Sequence, residues 1–188
     1  MNLGEAYQAH YKHFLGETES QLSMRLEHRG ASVQVSDYPD ALSGTHVLTT
    51  LGLTHYQDLL QDVVEVVVPT TELDDVVLEA VTASMWFLLG VQTPIEGVSY
   101  LRHLHRSVPA FFERYGKSAL AFTEPFVFPE AFAQVDIGLK CRTGKVWMGF
   151  FLSEAEVQFA ERAGFDALTT VLEEQEVDVI DLTRPSAF

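Results

Sequence analysis

Glu65 is the carboxylate whose surroundings could most alter its chemistry. It stands in Val63-Val64-Glu65-Val66-Val67-Val68, a run that is apolar on both sides of an extended chain. Burial there would lift a carboxyl toward the range of a working acid or base; pairing with a basic side chain is the plainer alternative. Hydrolysis by two carboxylates needs a second acid at a set separation, and the sequence places none opposite Glu65. His10 and His13 lie about one turn apart in a helical stretch, whereas His103 and His105 share a side only if their segment is extended. Either pair could offer two imidazoles to a metal, but neither has an acidic third ligand at a diagnostic spacing. By strand alternation the lone Cys141 falls with Val135, Ile137 and Leu139, and so reads as a core thiol rather than a nucleophile. The phosphate loop G-x-x-x-x-G-K-[ST], the dinucleotide turn G-x-G-x-x-G, the G-x-S-x-G elbow and H-E-x-x-H are missing from the sequence. The expectation is a protein with no catalytic residues, no cofactor and no metal. The rival is a small hydrolase or metal-assisted enzyme built on Glu65 and one histidine pair.

Three other features suit binding. Trp86 falls on the polar side of its helix, where a tryptophan is a favoured interface anchor. Phe122, Phe126, Phe128 and Phe132 interleave with Pro125 and Pro129, in a loop that either presents an aromatic rim or folds down as a lid. Glu173, Glu174 and Glu176 belong to a carboxy-terminal stretch with Glu154, Glu156, Glu161, Asp166, Asp178 and Asp181, opposed only by Arg162 until Arg184. That stretch is either a solvated face or a surface that steers a basic partner. The candidate partner-binding residues are thus Trp86, Phe126, Phe128, Glu173, Glu174 and Glu176.

The elements that must position these residues follow from pattern. With 188 residues, 47% of them hydrophobic, the chain suffices for one domain, 1–188, with a sizeable core. Helical spacing marks Leu3 to Leu15, ended by Gly16, and Leu73 to Leu89, where Asp74 and Asp75 suit the start. Ser153-Glu154-Ala155-Glu156 has capping-box form, and its helix should stop at Gly164 before another run through Phe165, Leu168 and Leu172. Period-two alternation marks Leu22 to Leu26 and Val33 to Ser36, joined at Arg29-Gly30, with Tyr38-Pro39-Asp40 closing the unit. His46 to Leu51 and Val63 to Val68 are strands, the second central in its sheet and ended by Pro69. Val135 to Cys141 and Val146 to Leu152 form a hairpin about the turn Arg142 to Lys145, and Val177 to Leu182 is a short strand or extended tail. Between Gly90 and Pro129 the prolines and glycines leave mostly loop, with helical turns at Tyr100 to Leu104 and Ala110 to Tyr115. The fold class is α/β of the α+β kind, an antiparallel-rich mixed sheet with helices packed against it.

Charge and cysteine count narrow the partners. Twelve Lys and Arg against 27 Asp and Glu give a net charge of -15, which disfavours nucleic acid and anionic membranes and favours basic protein. With no basic, apolar leader and too few thiols for an internal disulfide, the expected location is cytoplasmic. Oligomeric state is not legible.

The order of several motifs resembles the Suppressor-of-fused-like family. They are His46-Val47-Leu48-Thr49-Thr50-Leu51-Gly52-Leu53-Thr54; Val64-Glu65-Val66-Val67; Gly149-Phe150-Phe151-Leu152-Ser153-Glu154-Ala155-Glu156; Ala163-Gly164-Phe165-Asp166-Ala167-Leu168; and Asp181-Leu182-Thr183-Arg184-Pro185-Ser186. The chain departs at Leu73-Asp74-Asp75, where the family often has Trp-Pro, and from Val91 to Phe132. The resemblance implies a non-catalytic α/β binding domain. Animal members restrain a zinc-finger transcription factor, and single-domain bacterial relatives look like immunity proteins against polymorphic toxins. The bacterial type is the better match, with a basic nuclease-type toxin as the complementary partner; the alternative is a regulator or scaffold that binds a transcription factor.

Overall fold

A computed structural model describes residues 2–18, 26–28, 31–91, 93–139 and 142–188. The expected Leu22 and Met24 alternation, the Arg29-Gly30 turn and Cys141 lie outside the described residues. Helix α1 (Leu3–Leu15) opens with a reciprocal cap, in which Asn2 Oδ1 accepts from the Glu5 amide at 2.8 Å and the Glu5 carboxylate accepts from the Asn2 amide at 3.0 Å. Strands β1 (Leu26–His28), β2 (Ala31–Leu42) and β3 (Thr45–Leu51) follow, then α2 (Gln57–Leu60), β4 (Val64–Thr70) and α3 (Asp75–Val91). After them come β5 (Tyr100–Arg102), α4 (Leu104–Ser107), α5 (Pro109–Tyr115), β6 (Lys117–Thr123), β7 (Gln134–Leu139), β8 (Arg142–Ser153), α6 (Glu154–Ala163) and α7 (Phe165–Glu174).

The strands form one sheet in the order β1-β2-β3-β4-β8-β6-β5, with β7 also paired to β8. Only β4 and β8 run parallel; every other pair is antiparallel. The antiparallel-rich α+β architecture expected from the sequence is therefore present. Both faces are covered. On β4, Val64, Val66 and Val68 point into a core with α3, Leu104 and Phe111, whereas Val67 joins Tyr7, Val157 and Leu168 beneath α1, α6 and α7. Every position of β4 is buried, as a strand central in a doubly covered sheet requires.

Several expectations need correction. Tyr38-Pro39-Asp40 does not close a unit: β2 runs on to Leu42 through an irregularity after Pro39. β4 likewise continues past Pro69 to Thr70; Pro69 pairs with Val47 but lies beyond the last residue joined to β8, so no ladder bond is lost on that side. The Lys117–Thr123 segment, read as loop, is the strand β6 between β5 and β8. Its sequence, Lys-Ser-Ala-Leu-Ala-Phe-Thr, has no Val or Ile and only the terminal Thr123 as a β-branched residue, and tertiary pairing overrides that weak propensity. Arg142 to Lys145 is not a turn, because β8 begins at Arg142, directly opposite Leu139. The register shifts between Val135 and Leu139, where Gly138 has φ +73°, and the bulge turns Leu139 outward to 57% exposure although Val135 and Ile137 are buried. Val177 to Leu182 forms no strand; it is an extended, turning tail, held where the Thr71 amide donates to the Ile180 carbonyl at 3.1 Å.

The tail is locked by charge. Glu156, read from the sequence as part of an acidic surface, is fully buried and meets the buried Arg184, whose Nη2 donates to Glu156 Oε2 at 3.0 Å and to the Phe151 carbonyl at 3.2 Å. The same carboxylate accepts from the Ser153 and Ala187 amides, and the Ser153 and Ser186 hydroxyls meet at 2.7 Å. Burial pushes the Glu156 carboxyl up, but the bonds and charge of Arg184 outweigh it and hold the group below its ordinary value of 4.5. Lys117 lies alongside, its ammonium donating to the Arg184 carbonyl at 3.0 Å; burial, then the Arg184 charge, draws its pKa down to about 8.

A depressed carboxyl stabilises the fold above its unfolded pKa, and that contribution fades as pH falls through the folded value. Arg184→Met should cost about 3–5 kcal/mol near pH 7 by leaving the Glu156 charge unpaired. The gap between wild type and variant should narrow below about pH 4.5, which urea denaturation across the acid range would measure. Glu156→Met with Arg184→Met should recover part of the loss.

Candidate functional site

Glu65 is fully buried, as expected, but no basic side chain among the described residues answers it. Thr50 Oγ donates to Oε2 at 2.7 Å, the Gly52 and Thr54 amides donate to Oε1 at 2.7 and 3.1 Å, and the Leu53 amide donates to Oε2 at 3.2 Å. Thr50 Oγ in turn accepts from the Val66 amide at 2.8 Å, which commits its proton to Glu65. Burial pushes the carboxyl above its ordinary value, and these four donors oppose that rise. The chain can fold back around the carboxylate only because residue 52 is glycine. Its φ is +122°, and a Cβ there would stand 2.3 Å from the Ser32 carbonyl oxygen. Glu65 thus organises a turn, and among the described residues no second carboxylate is hydrogen-bonded into it.

The histidines are engaged in packing. His10 Nε2 donates to the Phe132 carbonyl at 3.0 Å and its ring stacks on Phe132, so burial holds its pKa below the ordinary value. His103 is buried, with Nδ1 donating to the Leu101 carbonyl at 3.1 Å and Nε2 lying 3.3 Å from Ser84 Oγ. Burial lowers its pKa as well. Among the described residues no three His, Cys, Asp or Glu side chains come together as metal ligands.

The concavity that joins expected site residues lies elsewhere. Phe126 stands in the loop after β6, 63% exposed, where its amide donates to the Glu124 carbonyl and the Phe128 amide to the Pro125 carbonyl. Opposite it runs α7, and between them is a groove of about 350 Å³ floored by Phe150 and Leu172, walled by Val177 and Val179, and edged by Phe126 and Glu173. Glu174 and Glu176, next along the chain from Glu173, are exposed, as is Glu124, two residues before Phe126. The arrangement is an apolar socket with an acidic rim. Its polar lining is Thr123, Thr169 and Glu173; it can receive an apolar side chain and attract cationic neighbours.

The remaining candidates separate. Phe128 does not join the rim: it folds inward and stacks on Phe132 with ring centroids 4.3 Å apart, and Phe122 and Phe132 are buried. Trp86, 38% exposed, projects from α3. That helix covers the opposite face of the sheet from α7, so Trp86 and the glutamates cannot serve one contact surface. Sequence reasoning missed Val177, Val179 and Phe150 as socket residues. Phe150 was visible only as a strand position, and the tail's path across the sheet has no local signal.

Compared with protein-family profiles and with curated proteins, the chain finds no match. Among solved structures its fold is that of a protein described provisionally as a SUFU (suppressor of fused protein) homolog from Neisseria gonorrhoeae FA 1090. The TM-score is 0.68 at 12% identity, over 99% of this chain and 97% of that one. The chain therefore has a SUFU-like α+β fold along its whole length. No helix of the described residues is long and apolar enough to cross a membrane.

Glu65→Gln should lower stability by about 1–3 kcal/mol, because its amide nitrogen would face a backbone donor in place of an acceptor. Hydrogen exchange should show the Gly52, Leu53 and Thr54 amides losing protection in that variant while the β6 amides lose only what the global loss explains.

Proposed function

We propose that this chain is a non-catalytic protein-binding domain of Suppressor-of-fused-like kinship, and that it neutralises a basic toxin by covering it. The observation that carries the reading is the socket between the Phe126 loop and α7, where an exposed phenylalanine and an apolar floor are bordered by Glu173, with Glu174 and Glu176 beyond. Such a site suits a partner that inserts one apolar side chain and carries lysines or arginines around it. Attraction between a -15 chain and a cationic protein speeds encounter, and the desolvated anchor slows release. Occlusion of a toxin's active site needs no chemistry from the inhibitor. A basic nuclease is the partner class whose charge fits best.

The test is co-expression with the product of the neighbouring gene, scored by cell survival and by capture on the purified chain. Phe126→Ala should weaken capture by roughly 2 kcal/mol, mainly through faster release. Reversing Glu173, Glu174 and Glu176 to lysine should slow association and flatten its salt dependence without unfolding the domain. Trp86→Ala, on the other face, should leave both rates unchanged. A neighbour that is harmless and uncaptured refutes the toxin reading; one that is a captured regulator without toxicity favours the transcription-factor alternative.

A further inference from the structure

The opposite face of the sheet carries a second groove, lined by basic rather than acidic side chains. Along α3, Trp86, Phe87 and Val91 are exposed at 38%, 45% and 40%, in a helix otherwise sunk into the core. Two adjoining clefts of about 520 and 500 Å³ share Phe87, His103 and Ser107, and so form one continuous channel from Trp86 across to α4. Phe87 makes its wall, held flat by stacking on the buried His103 ring with centroids 4.6 Å apart and planes 13° from parallel. Preorganised aromatic surface of this kind loses little entropy on binding.

The charge along the channel runs against that of the protein. Of 188 residues 27 are acidic, yet no Asp or Glu is among the residues lining either cleft, while Arg102, His105 and Arg106 are. Arg102 is already forked between Glu154 and Glu161. Arg106 is exposed and has no ion-pair partner among the described residues. A cation left unpaired beside an aromatic channel, in a chain with more than twice as many acids as bases, has carboxylates as its natural complement.

We infer that the α3–α4 channel is a second docking site, which takes an acidic amphipathic helix from another protein. The helix's apolar side chains lie against Trp86, Phe87 and Val91, and its carboxylates meet Arg106. The site is independent of the socket beside α7, because the sheet stands between them. A protein with both would hold a basic partner on one face and an acidic one on the other.

The inference makes a sharp demand, since overall charge predicts the reverse preference. Two tryptophan-free synthetic helices would be titrated into the full chain, with identical Leu and Phe faces and polar faces of glutamate in one and lysine in the other. The glutamate peptide should bind at least tenfold more tightly than the lysine peptide and shift the tryptophan emission, and the shift should vanish in Trp86→Phe. Arg106→Glu, at an exposed position, should abolish or invert the preference, whereas Phe126→Ala, in the socket that suits a cationic partner, should leave the glutamate-peptide titration unchanged. Preference for the lysine peptide in the Trp86-dependent emission change, absence of saturable binding by the glutamate peptide, emission unaffected by its binding, or a preference surviving Arg106→Glu would each overturn the assignment. Failure of the toxin test leaves this one standing, because the two use opposite faces and different variants.

Discussion

A single buried carboxylate holds the centre of the sheet together. Glu65 lies in the strand that joins the antiparallel meander to the rest of the sheet, and its oxygens gather the end of β3 and the three amides of the turn that follows. Without an acceptor those amides would be buried donors, each a substantial cost. With it, the chain leaves β3 sharply enough for Gly52 to pass against the backbone of β2. The neighbouring face depends on the same region. Tyr7 reaches from α1 to donate toward the carbonyls of Val63 and Lys145, bridging β4 and β8 where their parallel pairing begins. It fits because residue 144 is glycine: a Cβ there would lie 2.5 Å from the Tyr7 hydroxyl. Burial, reinforced by the Glu65 charge, drives the Tyr7 phenol far above its ordinary value, so it is a hydrogen-bonding strut and not a proton donor to solvent.

The motifs that resemble the Suppressor-of-fused-like family turn out to be halves of internal locks. The segment from His46 to Thr54 and the glutamate strand meet through Glu65. The segment ending Ser153-Glu154-Ala155-Glu156 and the tail Thr183-Arg184-Pro185-Ser186 meet through the Glu156–Arg184 pair and the two serines. This explains why the collinear order of these four foretold the fold while each was weak, since each needs its partner in place; the Ala163 to Leu168 segment, at the junction of α6 and α7, stands outside both locks. It also explains why they say little about binding. The socket beside α7 and the channel along α3 both draw on the region from Val91 to Phe132, where the family pattern fails.

Legibility in the sequence followed the range of the interaction concerned. The helices α1, α3, α6 and α7 were readable because caps and apolar spacing act within a few residues. The buried strand around Glu65 was readable from its valines, and even the carboxylate's burial could be inferred, but not its partners, which lie on a turn 11 to 15 positions earlier. Strand β6 escaped because alanine and serine become strand residues only when neighbours on both sides pair with them. Glu156 was misplaced on the surface for the same reason. In a capping box it looks satisfied locally, and the arginine that draws it inward is 28 residues away. For the site, Phe126 and Glu173 border one groove and Trp86 lies on the other face of the sheet, a separation that one-dimensional patterning cannot show because it does not tell which face a helix covers.

Strongly shifted ionisable groups are the usual flags of chemistry, and most of them here are consumed in architecture; the exception is Tyr11, whose buried hydroxyl meets no hydrogen-bond partner among the described residues. Glu65, Glu156, Lys117, Tyr7 and His103 each have their polar atoms committed to named partners within the fold, and none of them edges the socket. The concave surfaces draw instead on exposed aromatics and solvated charges, which are poor at making and breaking bonds but well suited to encounter and grip. A sheet covered on both faces also fixes how such surfaces can be used. Because β4 and β8 are buried from both sides, the two grooves open on opposite sides of a shared core and do not meet. Partners of opposite charge could then be held at once without competing, each selected by the local charge of its own face against the background of the whole.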